Sequence, residues 1–287
     1  MGRLWREQGK LQVFYLYKIL ARLETAFLFA TIAVILSFPL SGLYFLAEKT
    51  GSSVYILDAW LLALNNTYTH LYLTAAFLFS ISRMPRYGAS VLFPSLRCSR
   101  GVAYMAPLYA SMLQAVFVAL GTALLSILLS APIGYAQNEW SYPIQLLQNF
   151  NIRLKYGVSF TPPNFLMESL QPWQAFGYTL VQLVLFWTFL AQLVFFFSAK
   201  GRRNLGWLAA ALVLLGGWAI LLFAAAPELE VFSPLHHALP GALYYRPRVD
   251  YTPLGMLIYL FAINVAILIL NWEQRDFGLE NIITQAS

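Results

Sequence analysis

The chain has 287 residues, of which 60% are hydrophobic, 16% are aromatic and only 10% are charged. A soluble domain carries about 25% charged residues, so this composition excludes an ordinary soluble enzyme or binding module. The formal net charge of +6 does not indicate nucleic-acid binding, because most of the excess cations lie beside long apolar segments. The single cysteine, Cys98, excludes an intrachain disulfide framework.

The first predicted element is an amphipathic helix over residues 1–24. Its apolar face holds Trp5, Leu16, Ile19, Leu20 and Leu23, and its charged face holds Arg3, Glu7, Lys10, Lys18 and Arg22. This pattern is typical of a helix lying in the membrane plane on the cytoplasmic side. The alternative is a surface helix of a small cytoplasmic domain. The apolar run that follows is too long for the h-region of a signal peptide, so we expect it to be retained.

Six long apolar segments come next. They cover residues 25–47, 59–82, 102–132, 173–198, 205–226 and 253–270. Most of them reach the ~20 residues that a helix needs to cross a hydrocarbon core about 30 Å thick. The sequence therefore predicts an all-α integral membrane protein. Residues 1–287 would form a single transmembrane domain of six helices.

The basic residues between the segments predict the topology. Residues 1–24, 83–101, 199–204 and 271–287 carry 13 of the 18 Lys and Arg residues. The connections 48–58, 133–172 and 227–252 carry the other five. The positive-inside rule then places both termini in the cytoplasm and the protein in the cell membrane.

The two long outer connections, 133–172 and 227–252, are rich in proline and aromatic residues. Such stretches suit the headgroup region of a bilayer, where amphipathic rings are favoured. Short helices, such as one over residues 142–150, are expected there. They either cap a cavity from outside or form ordered loops without a gating role.

Uncharged polar residues cluster in the second segment. Asn66, His70 and Thr74 are four residues apart and share one helix face, and Tyr178 and Gln182 form a similar pair in the fourth segment. Polar groups are costly in lipid, so we expect this face to contact protein or water. One interpretation is a translocation path lined by these five residues. The other is hydrogen bonding between helices, which is common in membrane proteins.

Catalytic chemistry is not predicted. No Asp, Glu, Lys or Arg lies in the middle of a segment, and the chain has no zinc-protease, nucleophile-elbow or phosphate-loop motif. If the protein uses ATP, another chain must bind it. His236 and His237 are predicted outside and Cys98 inside, so they cannot form one metal site, and none is predicted.

A basic stretch reads Arg83-Met84-Pro85-Arg86-Tyr87-Gly88-Ala89-Ser90. It is similar to the start of the first cytoplasmic loop in many permeases of ABC transporters of the type 2 exporter class. The order of an amphipathic helix, two spans, a basic loop and four spans with an outer excursion before the last also resembles this family. The connection 133–172 is longer than in the compact members.

The resemblance implies a permease subunit that is not itself an enzyme and holds no cofactor. ATP and Mg²⁺ would bind a partner ATPase, which would dock on the loop 83–101. Two permease chains, identical or related, would face each other across the path. The coupling residues would be Arg83, Arg86, Tyr87, Gly88, Arg97 and Arg100. Two other readings stay open, namely a stand-alone channel or carrier and a subunit of a membrane-bound enzyme complex. Contact with membrane lipid is expected in every case.

Overall fold

The computed structural model describes residues 10, 12–15, 17, 23–81, 100–158, 160–200, 202–223, 227–239 and 252–274. In chain order the elements within 23–274 are α1 (Leu23–Thr50), β1 (Val54–Tyr55), α2 (Asp58–Asn65), α3 (Thr67–Ile81), α4 (Arg100–Ser130), β2 (Gly134–Tyr135), α5 (Tyr142–Leu146), α6 (Phe150–Tyr156), α7 (Asn164–Ser169), α8 (Pro172–Ala199), α9 (Arg203–Phe223), α10 (Pro227–Glu230), α11 (Pro234–Ala238) and α12 (Pro253–Glu273). The chain is an α-helical protein whose strands are two residues long.

Five of the described helices are long and apolar enough to cross a membrane. These candidate spans are Thr25–Thr50, Tyr104–Ser130, Pro172–Ala199, Asn204–Phe223 and Pro253–Glu273. They correspond to five of the six predicted segments, so an all-α, multi-pass membrane protein is confirmed at this level. The second predicted segment differs, because it forms two shorter helices, α2 and α3, that are separated at Asn66.

Helix α8 forms the centre of the bundle. It packs against α4, α9 and α12, and also contacts α2, α3 and α11. Of its most apolar stretch 56% is buried, against 22–39% in the other four candidate spans. Trp187 of α8 is fully buried and stacks on Phe77 of α3, with 4.7 Å between ring centroids. A helix that is buried on most sides must be apolar almost all round, as the sequence of α8 is.

The contact between α8 and α9 depends on a glycine. A Cβ atom added to Gly206 would lie 2.6 Å from the carbonyl oxygen of Val194. Only glycine therefore permits this approach of the two helices, and small residues at such crossings are typical of membrane bundles. The two helices are joined by a short connection after Ala199, so they form an antiparallel hairpin.

The connections that follow α1 and α4 are joined by a parallel bridge. Val54 pairs with Gly134, and Tyr55 pairs with Tyr135. A Cβ atom on Gly134 would lie 2.8 Å from the Ser130 carbonyl oxygen and closer still to the Ile56 side chain, so the bridge requires glycine there. The α1 and α4 ends are also tied by the Tyr44 hydroxyl, which donates to the Leu129 carbonyl at 2.8 Å.

The predicted connection 133–172 is a folded layer containing α5, α6 and α7. The predicted helix near 142–150 is divided between α5 and the start of α6. Ser141 is the N-cap of α5 and Asn149 is the N-cap of α6, each accepting a backbone hydrogen bond. Trp140 donates from Nε1 to the Leu170 carbonyl at 3.1 Å, which closes the layer. These bonds satisfy backbone groups that a long loop would otherwise expose.

Several predictions fall on parts of the chain that the structure does not describe. In the predicted interfacial helix, Lys10, Gln12–Tyr15 and Tyr17 are helical, and the other residues before Leu23 lie outside the described residues. The same holds for residues 82–99, which contain most of the predicted coupling loop, and for 275–287. The orientation of both termini stays a prediction.

Candidate functional site: an interrupted helix beside an open cavity

The second predicted segment is interrupted at Asn66, whose backbone is extended (φ −91°, ψ 127°). Its side-chain Oδ1 accepts hydrogen bonds from the backbone N–H groups of Tyr68 and Thr69, at 3.1 and 3.2 Å. Asn66 is thus the N-cap of α3. Asparagine side chains compete in this way with helix hydrogen bonds, which explains why the helix stops here although its side-chain pattern continues.

Two side chains beside the interruption donate hydrogen bonds to carbonyl groups of α2. Asn65 donates from Nδ2 to the Leu61 carbonyl at 2.9 Å. His70 donates from Nδ1 to the Leu64 carbonyl at 3.1 Å, because a carbonyl can only accept. Irregular backbone at membrane depth is tolerated only where it is buried in protein or lines a wet cavity. Both conditions are met here, since His70 is buried and Asn66 faces a cavity.

An open cavity of ≈ 780 Å³ lies beside the interruption. Three pieces of the chain line it. They are α1 between Ile35 and Phe45, the start of α3 from Asn66 to Tyr72, and the segment after α6 between Tyr156 and Thr161. The walls are mainly apolar and aromatic, and the few polar groups come from the interruption and from Ser41 and Thr161. This is the composition expected of a ligand cavity in a membrane protein.

The structure separates the five residues predicted to line a path. Asn66 lines the cavity. His70 and Thr74 point into the bundle, where Thr74 accepts a hydrogen bond from Trp187 Nε1 at 3.0 Å. The Tyr178 hydroxyl donates to the Pro253 carbonyl at 3.0 Å. Four of the five thus have contacts inside the bundle of the kind that the alternative interpretation expects, and their role in a path stays a prediction.

Gln182 holds a short helix against the bundle. Its Nε2 donates to the His237 carbonyl at 2.8 Å and to the Tyr178 hydroxyl at 2.9 Å. His237 belongs to α11, which packs between α8, α9 and α12 with its side chains buried. Gln182 is ten residues after Pro172, or about 15 Å along α8. The segment 227–239 therefore folds back alongside α8.

The histidines of this excursion have protein partners. The His237 ring stacks on Tyr259 with 3.9 Å between centroids, and its Nε2 bonds to the Val231 carbonyl at 2.9 Å. His236 Nε2 lies 3.6 Å from Glu230 Oε2. Within the described part of the chain, no three His, Cys, Asp or Glu residues are grouped as a metal site would require. A metal role for His236 and His237 has no support from this arrangement.

Asp58 is a buried acid that the sequence reasoning missed. It precedes the second apolar segment, is fully buried, and accepts hydrogen bonds from the Tyr55 N–H at 3.3 Å and from the Ser141 hydroxyl. Its Oδ1 has no hydrogen-bond partner within the described residues. Burial raises the pKa of this carboxyl to about 7, although the hydrogen bonds from Ser141 and Tyr55 oppose the rise. Asp58 links α2 to the start of α5.

The predicted coupling residues lie almost entirely outside the described residues. Arg83, Arg86, Tyr87, Gly88 and Arg97 lie outside the described residues, and of Arg100 only the backbone is described, at the start of α4. Comparison with protein-family models, with curated proteins and with solved structures finds no match.

Proposed function

We propose that this chain is the transmembrane permease subunit of an ATP-driven ABC exporter. Two permease copies, or one copy and a related chain, form the pathway in the cell membrane, and a separate ATPase chain supplies the energy. The observation that carries the transport part of this proposal is the interruption at Asn66 beside a cavity of ≈ 780 Å³. Discontinuous helices beside a cavity are characteristic of substrate sites in transporters.

The distribution of charge supports an external source of energy. In the five candidate spans and in α3, Asp, Glu, Lys and Arg residues lie only near the ends of the helices. The buried polar groups inside the bundle are mostly Asn, Gln, Ser and Thr. A proton- or cation-driven carrier usually relies on intramembrane acids. A pathway without them fits a subunit that is moved by a partner.

The partner is expected at the predicted coupling loop 83–101. In this proposal Arg83, Arg86, Arg97 and Arg100 pair with acids of the ATPase, while Tyr87 and Gly88 shape the contact. The ATPase must bind the inward- and outward-open permease with different affinity in its ATP and ADP states, because otherwise hydrolysis could not drive the change. Binding of ATP and Mg²⁺ then belongs to the partner chain.

Co-purification from the native membrane tests the proposal. The solubilised full-length chain is expected to bring with it a chain that has a phosphate-loop motif and hydrolyses ATP. Reversing two charges, Arg86→Glu with Arg97→Glu, should remove that partner. The matched control is Arg153→Glu with Lys155→Glu, on the predicted outer side, which should leave the pairing intact. Loss of the partner in both double variants, or in neither, would argue against the predicted coupling loop.

The discontinuous helix also favours a second candidate, a stand-alone carrier, because such helices are characteristic of secondary transporters. The two candidates differ in their requirement for nucleotide. A carrier would transport its solute in vesicles that contain only this chain and an ion gradient. The exporter requires the ATPase and ATP inside the same vesicles, and transport without them would overturn the proposal.

A further inference from the structure

Three basic side chains contact residues that line the cavity. Lys49 Nζ lies 5.6 Å from the ring centroid of Phe45, and Lys155 Nζ lies 5.4 Å from that of Tyr156. Phe45 and Tyr156 both line the cavity and contact each other edge to face, with 6.0 Å between centroids. Two ammonium groups thus flank one aromatic pair at the rim.

The third cation, Arg153 of α6, contacts another residue of the cavity wall. Its guanidinium donates from Nη1 to the hydroxyl of Thr161 at 2.6 Å, and Thr161 lines the cavity. Lys49 and Lys155 are exposed and Arg153 is half-buried. None of the three forms an ion pair with an acid among the described residues. Their three positive charges outnumber the negative charge of Glu48, the exposed neighbour of Lys49 in α1.

The apolar wall runs from this rim toward the middle of the membrane. From Phe45 to Ile35 the cavity follows ten residues of α1, or about 15 Å. This is half of a hydrocarbon core about 30 Å thick, which is the depth of one leaflet. The side chains of Phe38, Tyr68 and Tyr72 are more than half exposed along this length. They offer a surface for a chain of methylene groups.

We propose that this cavity binds an anionic amphiphile of the membrane, with its headgroup at Lys49, Arg153 and Lys155 and its apolar chain along Phe38 and Tyr72. Charge complementarity selects the headgroup, since a basic residue near a membrane surface attracts an anionic lipid by about 1 kcal/mol. The length of the wall selects a molecule with an acyl-type tail over a soluble anion. Taken with the proposed function, on which this step rests, anionic amphiphiles are the class of molecule that the exporter transports.

Site-specific photocrosslinking tests the site without an ATPase. The full-length chain carries a benzoylphenylalanine in place of Tyr72 and is reconstituted in vesicles with equal amounts of phosphatidylglycerol and phosphatidylcholine. A second preparation carries the crosslinker in place of Phe261, which is exposed on α12 away from the cavity. We expect the ratio of phosphatidylglycerol to phosphatidylcholine adducts to be about tenfold higher at position 72 than at position 261.

The variant Lys49→Gln with Lys155→Gln should lower the ratio at position 72 toward that at position 261, with Arg153 keeping part of the preference. These two lysines contact only rings, so their replacement removes no hydrogen bond that the structure shows. The control is Lys200→Gln, which should leave the ratio unchanged. Lys200 follows the C-terminal end of α8, and its Nζ lies 4.4 Å from the ring centroid of Phe196. Equal ratios at positions 72 and 261, or a ratio that the double variant does not lower, would overturn the site.

A competition arm separates a membrane lipid from a soluble anion. Glycerol phosphate or inorganic phosphate, added in excess, should leave the phosphatidylglycerol adduct at position 72 unchanged. Strong competition would instead assign the cations to a soluble phosphate compound and overturn the amphiphile. The outcome is independent of the proposed function, because selective crosslinking can hold while no ATPase is found, and an ATPase can be found while crosslinking is unselective.

Discussion

Helix α8 and the pair α2–α3 both carry polar residues at helical spacing, yet only α8 is continuous. In α8 the polar side chains bond to other helices, as when Gln192 donates to Asn264 Oδ1 at 2.9 Å. In α2–α3 the side chains of Asn65, Asn66 and His70 bond to their own backbone. Polar spacing alone therefore does not decide what a membrane helix does. The interruption differs in one respect, because the Asn66 side chain accepts from backbone N–H groups ahead of it and so begins a new helix.

The largest expected effect is at the contact between α8 and α3, where Trp187 stacks on Phe77. Trp187→Ala should destabilise the protein by about 3–5 kcal/mol, because it leaves a cavity and an unpaired Thr74 hydroxyl. Unfolding in mixed detergent micelles measures this. Trp187→Phe keeps the stacking on Phe77 and should cost clearly less. Phe261→Ala, on the exposed face of α12, serves as control, and an equal loss there would mean that α8 is not the centre of the bundle.

The stability of the N-terminal end of α2, where Asp58 lies, should depend on pH. The pKa of Asp58 is raised to about 7, above that of an unfolded chain, so the folded state binds the extra proton between about pH 4 and 7. The contribution of Asp58 to stability is therefore greatest at low pH and is lost as the pH rises through 7.

Asp58→Asn removes this titration and should be the more stable form at pH 8, by about 2–4 kcal/mol. The advantage should shrink as the pH falls to 5. Melting temperatures of both forms across this range test it, with the exposed Glu139→Gln as control. A difference that does not vary with pH would show that Asp58 titrates as it does in water.

Gln182→Leu tests how much a polar side chain of α8 contributes through its bond to another helix. The substitution keeps the volume and leaves the buried His237 carbonyl without its donor, which should cost about 1–3 kcal/mol. Limited proteolysis should then cut the segment 227–239 faster, because α11 is held to α8 by this bond. The same substitution at exposed Gln137 should change neither quantity. If α11 stays protected in Gln182→Leu, apolar packing holds it rather than the hydrogen bond.

The smallest effect is expected at the interruption itself. Asn66→Ala removes the N-cap of α3 and should cost about 1 kcal/mol, whereas Asn66→Ser keeps an acceptor and should cost less. Unfolding in micelles again measures the difference. A stabilising effect of alanine would mean that α2 and α3 fuse into one continuous helix once the asparagine is gone.

The six apolar segments were readable in the sequence because length and hydropathy report directly on burial in lipid. The sequence analysis did not predict the interruption at Asn66. The i, i+4 spacing of Asn66, His70 and Thr74 predicts a shared helix face but gives no information on whether the backbone is continuous. The signal available was the pair Asn65-Asn66, because asparagine bonds readily to its own backbone.

Other features depend on residues far apart in the chain. Asp58 looked like an outer-loop acid because its burial is set by Ser141, 83 residues away. The contact between Thr74 and Trp187 spans 113 residues. Likewise, the cations at the cavity rim come from α1 and α6, which no local pattern relates. The composition predicts that this chain lies in a membrane. The contacts between residues far apart in the chain could be seen only in the folded structure.

The glycine contact between α8 and α9 has a consequence for biogenesis. Because Gly206 allows the helices to meet at Val194, and the connection between them is short, the two can enter the bilayer together as a helical hairpin. Their mutual packing is local and is available before α12 has been synthesised. The segment 227–239 contacts both of these helices, so this part of its docking surface is complete once the pair has formed. The helices would thus assemble in the order of their synthesis. Helix α12 would pack last and cover α11.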